Sequence, residues 1–259
     1  MYDVHIIFGS KSDSAVYEPI LEEFLQNGLK TYLSIASAHR TPELLKELLR
    51  IESKLIVSGA GLSAALPGMI AAHSLKPVFG VPVKANFNGL DAVLSIAQMP
   101  PGIPVLLANR IGAEDIRAFL DAKEINIVDI AKNEKVLLKA KNTFEKFGVD
   151  YTESSSLKEN AINIRLVPLS EIIASKENLC IDVPVASNAS AKDALLYLEA
   201  KNYLVGLNRG ENAALACIRF LALHNQELKA KLEDYMAKQK EKTIKSCEEE
   251  RGRLIKWDQ

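Results

Sequence analysis

Short β-branched and apolar runs alternate along the first half of the chain with stretches whose apolar residues recur every three or four positions. Residues 4–8, 54–58, 77–83 and 103–108 read as strands. Between the first strand and the next, Ala15-Val16, Ile20-Leu21 and Phe24-Leu25 repeat at helical spacing, and Gly28 stops the helix. A strand over 31–36 follows at once. Thr41-Pro42-Glu43 then supplies an N-cap, a proline at the first helical position and an acidic first turn, opening a helix over 43–52. This βαβ rhythm predicts an α/β fold, a parallel sheet covered by helices on both faces. The residues just before each helix then sit at the carboxyl end of a strand, where open α/β sheets build their sites.

The second half reads as a weak copy of the first. Phe24-Leu-Gln-Asn-Gly28 ahead of Thr31-Tyr-Leu-Ser matches Phe144-Glu-Lys-Phe-Gly148 ahead of Val149-Asp-Tyr-Thr. Val81-Pro-Val83 with Asp91-Ala-Val-Leu recurs as Val183-Pro-Val185 with Asp193-Ala-Leu-Leu. Ala108-Asn-Arg110 with Gly112 is echoed by Leu207-Asn-Arg209 with Gly210. Three matches in chain order predict an internal duplication, with units expected at 1–131 and 132–259. Beyond Leu223 the mixed charges predict a long helix over about 227–250, either a solvated face or an arm on a neighbouring subunit.

With 48% hydrophobic and 25% charged residues in 259, the chain has enough apolar content for a proper core, which excludes a disordered tail or a disulfide-stapled miniprotein. The 32 basic and 33 acidic side chains nearly cancel, so the whole chain lacks the field that steers a protein onto nucleic acid or anionic membrane. Cys180, Cys217 and Cys247 form no C-x-x-C pair, and their odd number fits reduced thiols in a cytosolic protein. The opening MYDVHIIFGSKSD is neither a signal peptide nor a membrane span, so a cytoplasmic protein without membrane or nucleic-acid partners is expected.

Four segments at expected strand ends carry chemistry. In Gly9-Ser10-Lys11-Ser12-Asp13 the glycine lets backbone approach an anion while hydroxyls and free N–H groups donate to it, although an ordinary capped turn has the same composition. Ser37-Ala38-His39-Arg40 puts a side-chain type that titrates near neutrality beside a guanidinium suited to phosphate or carboxylate. Small residues from Ser58 to Gly68 allow close approach of a ligand or of another helix. The polar loops Asn86-Phe-Asn-Gly-Leu-Asp91 and Gln98-Met-Pro-Pro-Gly-Ile-Pro104 flank a helix and suit either a closing loop or plain turns.

The strings GSKSD, SAHRTP, GAG with ALPGM, VPV, NGLD and SIAQMPPGIPV, in order over 4–105, and NRGENAALACIRFLAL downstream, resemble the PurE family of purine biosynthesis. Members of that family act on carboxylated aminoimidazole ribonucleotides. The resemblance implies a flavodoxin-like three-layer sandwich, octameric assembly with sites at subunit junctions, and a small-molecule ribonucleotide substrate handled without metal, ATP or biotin. It implies His39 as the proton carrier, Ser10 and Arg40 on the phosphate and Asp13 on the ribose hydroxyls. Gly9, Ser37, Ala38, Gly59, Ala60 and Gly61 are expected to line the pocket, with Asn88, Gly89 and Asp91 in a neighbouring loop.

Two departures matter. The family's small-residue helix and long charged helix sit at 205–245 here, 110–123 is a poor version of them, and the second unit has no GSxSD or SAHRTP counterpart. The first unit is therefore expected to be catalytic and the second a degenerate PurE-like repeat. Four such chains, a homotetramer, would form a pseudo-octamer with half the usual sites, and 210–223 should pack across a repeat or subunit boundary. The second departure is Ala65, which stands where mutase-type members read histidine in AAHLPGM. Carboxylase-type members also lack that histidine, but Gly59-Ala-Gly61 and SAHRTP favour the mutase. The expected activity is that of N5-carboxyaminoimidazole ribonucleotide mutase; the alternatives are a carboxylase using carbon dioxide and a non-catalytic ribonucleotide-binding scaffold.

Overall fold

The computed structural model describes residues 1–255, so 256–259, the end of the expected second unit, lie outside the described residues. The chain runs β1 (Tyr2–Phe8), α1 (Ser14–Gln26), β2 (Thr31–Ile35), α2 (Pro42–Leu48), β3 (Ser53–Ala60), α3 (Ala65–His73), β4 (Val78–Pro82), α4 (Leu90–Ala97), β5 (Leu106–Leu107) and α5 (Ala113–Asp121). It continues with β6 (Glu124–Asp129), α6 (Glu134–Phe147), β7 (Thr152–Glu153), β8 (Ala161–Pro168), β9 (Cys180–Val185), α7 (Leu196–Glu199), β10 (Tyr203–Leu204), α8 (Gly210–Leu221) and α9 (Gln226–Ile255). No described helix is long and apolar enough to cross a membrane.

Among the described residues the strands form one ten-stranded sheet in the order β2-β1-β3-β4-β5-β10-β9-β8-β6-β7. Within each half every pairing is parallel, and the halves meet through the antiparallel contact of Leu107 with Leu204. Reading β6 to β10 as a second set gives the same internal order as β1 to β5, a first strand flanked by the second and third. Because the join is antiparallel, the carboxyl ends of the two sets face opposite rims of the sheet.

Side-chain alternation along the strands divides the core in two. Val4, Ile6 and Phe8 join the residues of α1, α5, α6, α8 and α9 on one face, whereas Ile7 and Ile56 join those of α2, α3, α4 and α7 on the other. This is the three-layer α/β sandwich that the hydrophobic pattern predicted. The second face is thin in the second half, since β7 runs on to β8 without a helix and only a 3₁₀ turn, Leu169–Glu171, lies between β8 and β9.

Several expectations need correction. The expected boundary at 131/132 falls after Glu124–Asp129, which pairs with β7 and β8, so the link between the two strand sets is Ala122-Lys123. That link contains no glycine or proline, so nothing in the local pattern marks it. The strand expected over 103–108 shrinks to Leu106–Leu107, as Pro104 removes a ladder donor. The helix expected over 43–52 ends at Leu48, after which turn bonds from Arg50 N to Glu47 O and Ile51 N to Leu48 O lead into β3. Thr41 does occupy the N-cap position, but its hydroxyl makes no cap bond.

The seam between the halves is filled by aromatic rings from both. Phe119 stacks on Phe220 with centroids 5.0 Å apart, and Phe79 packs edge-on to Phe119 and Tyr203 at 5.6 and 5.0 Å. Phe119 and Phe220 are buried. Phe220→Ala is expected to lower the unfolding free energy by about 3–5 kcal/mol, the loss for truncating a buried phenylalanine, read by denaturant titration of the full chain.

Candidate functional site

Four turns at the carboxyl ends of β1, β2, β3 and β4 converge on one cleft of about 930 Å³. Their level is set by bonds that extend the ladder past the strand ends, from Ala36 N to Phe8 O, Gly9 N to Gly59 O and Val83 N to Ala60 O, at 3.0, 3.0 and 3.1 Å.

The first turn contributes Gly9, Ser10, Ser12 and Asp13. Ser10 caps the 3₁₀ turn Lys11–Asp13, its Oγ accepting from Ser12 N at 3.2 Å and from Ser12 Oγ at 2.8 Å. The capped-turn reading of GSKSD holds, and the cap leaves Ser10, Ser12 and Asp13 on the cleft. Burial raises the Asp13 carboxyl above its ordinary range, opposed by hydrogen bonds from Ser12 and the Ser10 backbone.

The second turn contributes Ser37, Ala38, His39 and Arg40. Thr41 ties it shut, with Oγ1 accepting from Ser37 N at 2.9 Å and donating to Ser37 O at 3.2 Å, while Arg40 N donates to Ser37 Oγ at 3.3 Å. The backbone is thereby fixed, yet His39 and Arg40 are exposed and their side chains make no hydrogen bond among the described residues. Both are free to meet a ligand. The third turn brings Ala60, Gly61, Ser63 and the start of α3 at Ala65 and Leu66, and the fourth brings Val83, Lys84 and Ala85.

Four residues expected at the site are not among those lining the cleft. Gly59 is buried, and a Cβ there would overlap the Phe8 ring, so this glycine permits close packing of β3 on β1. Asn88, Gly89 and Asp91 sit beyond a bend in which Phe87, Asn88 and Gly89 all have positive φ, at 50°, 55° and 83°. The bend turns the chain into α4, and Asp91 Oδ1 is buried without a partner. In the other direction, Lys84 lines the cleft without having been singled out, and Ser12 and Ser63 line it from segments singled out only as a whole. Lys84 follows Val81-Pro-Val83 directly, so the carboxyl-end rule applied to that strand already contained it.

The opposite rim, at the carboxyl ends of the second set, holds a smaller cavity of about 390 Å³ lined by Asn133, Lys135, Lys139, Ser187 and Asn208 among others. No histidine lines it.

Comparison with known proteins bears on the same turns. A family model described as AIR carboxylase matches residues 3–146, more than half of the 259-residue chain. The N5-carboxyaminoimidazole ribonucleotide mutase of Methanocaldococcus jannaschii is 46% identical over 101 residues, 39% of this chain and 64% of that protein, so the match spans less than two thirds of this relative. The protein of that name from Escherichia coli is 40% identical over 154 residues, 57% of this chain and 88% of the relative. The crystal structure of Treponema denticola PurE aligns with 95% of this chain and 96% of its own at 19% identity, with a TM-score of 0.38. The fold assignment rests on the strand order described above and not on that overlap. With every turn of the cleft inside the matched stretch, the chain belongs to the AIR carboxylase family.

Proposed function

We propose that the chain interconverts N5-carboxyaminoimidazole ribonucleotide and 4-carboxyaminoimidazole ribonucleotide in the β1–β4 cleft. The observation that carries the reading is the placement of an unpartnered histidine and an unpartnered arginine on one fixed turn, facing the serine-lined turn across the cleft. Relatives up to 48% identical and bearing the mutase name support it.

In this reading Arg40 and Ser10 hold the phosphate, and Asp13 accepts from the ribose hydroxyls. His39, as imidazolium, gives its proton to the exocyclic nitrogen as the N–C bond of the carbamate breaks and carbon dioxide forms. C4 of the imidazole then attacks the carbon dioxide, forming the new C–C bond. Neutral His39 removes the proton left on C4, which restores the imidazolium and closes the cycle. One proton is lent and one recovered, so the reaction is an isomerisation and draws on no cofactor. The small residues Ala60, Gly61 and Ala65 keep side-chain bulk off the wall where the ribonucleotide shifts between the two steps. Ala65 leaves His39 as the histidine of the cleft.

The finer reading covers organisation as well. The shared strand order of the two sets supports descent of the second half from a duplicated first half that lost its turns, with catalysis kept in the first. Four chains then assemble as a homotetramer that fills eight family-sized places, in the cytoplasm. Light-scattering mass of the purified protein is expected near four times the 28.5 kDa chain mass; a monomer with full turnover overturns this assembly.

His39→Asn is expected to lower turnover at least about 10²-fold while ribonucleotide binding survives, because an amide hydrogen-bonds but carries no proton through the cycle. The check is an ultraviolet assay of the interconversion with and without bicarbonate, which also separates mutase, carboxylase and inert scaffold. Arg40→Ala is expected to weaken substrate binding by about 1.5–3 kcal/mol, the worth of a hydrogen bond to a charged group, and to leave binding of the dephosphorylated ribonucleoside nearly unchanged. Equal losses for both ligands, measured by calorimetry, place the phosphate elsewhere.

A further inference from the structure

Arg219 lies on α8 in the second half and is 2% exposed, yet no carboxylate pairs with it among the described residues. Taking a guanidinium out of water without a counter-charge is costly, and burial lowers its pKa to about 10. What it meets is backbone of the first half. Nη2 donates to Ala71 O at 2.8 Å and Nη1 to Lys76 O at 3.3 Å, while Nε has no partner. Ala71 is in the last turn of α3, whose carbonyls have no partner within the helix, and a cation there complements the helix dipole.

The same face of α8 reaches α3 a second time, through a loop of the first half. Asn212, two turns before Arg219, accepts from Gly102 N at 2.9 Å and donates to Pro100 O at 3.0 Å and Ile103 O at 3.3 Å. This clamps the loop that carries Met99, and the Met99 sulfur lies so close to Gly68 in the middle of α3 that a Cβ there would stand 2.9 Å from it. At nine residues α3 is a short rigid rod, and its other end, Ala65 and Leu66, is part of the cleft wall.

We propose that Arg219, aided by Asn212, is a positioning residue for the cleft, by which the second half holds α3 so that its first turn stays in the wall facing His39. The second half then has a task in the reaction although it carries no candidate chemistry of its own. The kinetic part of this inference rests on the proposed mutase reaction. The mechanical part does not.

The test uses the full chain with Arg219→Met, which keeps much of the bulk and loses the donors, and Arg219→Lys, which keeps one cation. Amide hydrogen exchange followed by mass spectrometry is expected to show α3 at least about tenfold less protected in Arg219→Met, with α1 unchanged. Turnover is expected to fall about tenfold with KM within about twofold, since the proposed phosphate contacts lie on other turns, and Arg219→Lys is expected to recover much of both. A general loss of protection along the chain with normal kcat per folded molecule shows a merely structural residue and overturns the proposal. So does unchanged protection of α3, or loosened α3 with normal kcat. Should Arg219→Met fail to fold, Arg219→Lys and Asn212→Ala carry the same comparison, expected to loosen α3 and the loop at 98–104 and to lower kcat; unchanged exchange and kcat in both overturn it. If the unaltered protein shows no turnover, the mutase reading falls while exchange at α3 still decides whether Arg219 holds the helix.

Discussion

A five-stranded parallel set ending in a two-residue strand leaves an unpaired edge, and in this chain that edge is closed by the antiparallel contact between Leu107 and Leu204. Most of the architecture depends on that join. It merges two similarly wound halves into one sheet, turns their carboxyl ends to opposite rims and brings Phe79, Phe119, Tyr203 and Phe220 into one aromatic cluster. It also brings α8 within reach of the loops that precede β4 and β5, so polar side chains of the second half satisfy backbone groups of the first.

The cleft combines a rigid backbone with unoccupied side chains. The bonds of Thr41 to Ser37 and the Ser10 cap use groups of the turns themselves to fix the loops. That leaves the His39 and Arg40 side chains without partners among the described residues, so no such bond must break before they meet a ligand. Preorganisation of this kind lowers the ordering cost of binding.

The turns were legible in the sequence because each element signal is local. A β-branched run, a glycine or serine turn and a helical repeat place GSKSD and SAHRTP at strand ends whatever lies elsewhere, and Gly9, Ser10, Asp13, Ser37, Ala38, His39, Arg40, Ala60 and Gly61 do meet at one cleft. At Gly59 small size serves packing and ligand approach equally well, and only the position of the Phe8 ring shows the packing role. Asn88, Gly89 and Asp91 stand outside the cleft lining, after a turn of three consecutive positive φ values at Phe87, Asn88 and Gly89 that is invisible in composition.

By itself, then, the sequence determined the layered α/β class and the placing of the GSKSD and SAHRTP turns at strand ends, since periodicity and turn composition are properties of neighbouring residues. Only the tertiary structure decided that the halves share one sheet, that β6 belongs to the second and that Arg219 meets the carbonyls of Ala71 in α3 and Lys76 beyond it. Edge pairing and the satisfaction of buried polar groups join residues about 100 to 150 positions apart, and such matches are settled by packing geometry, which no local pattern along the chain encodes.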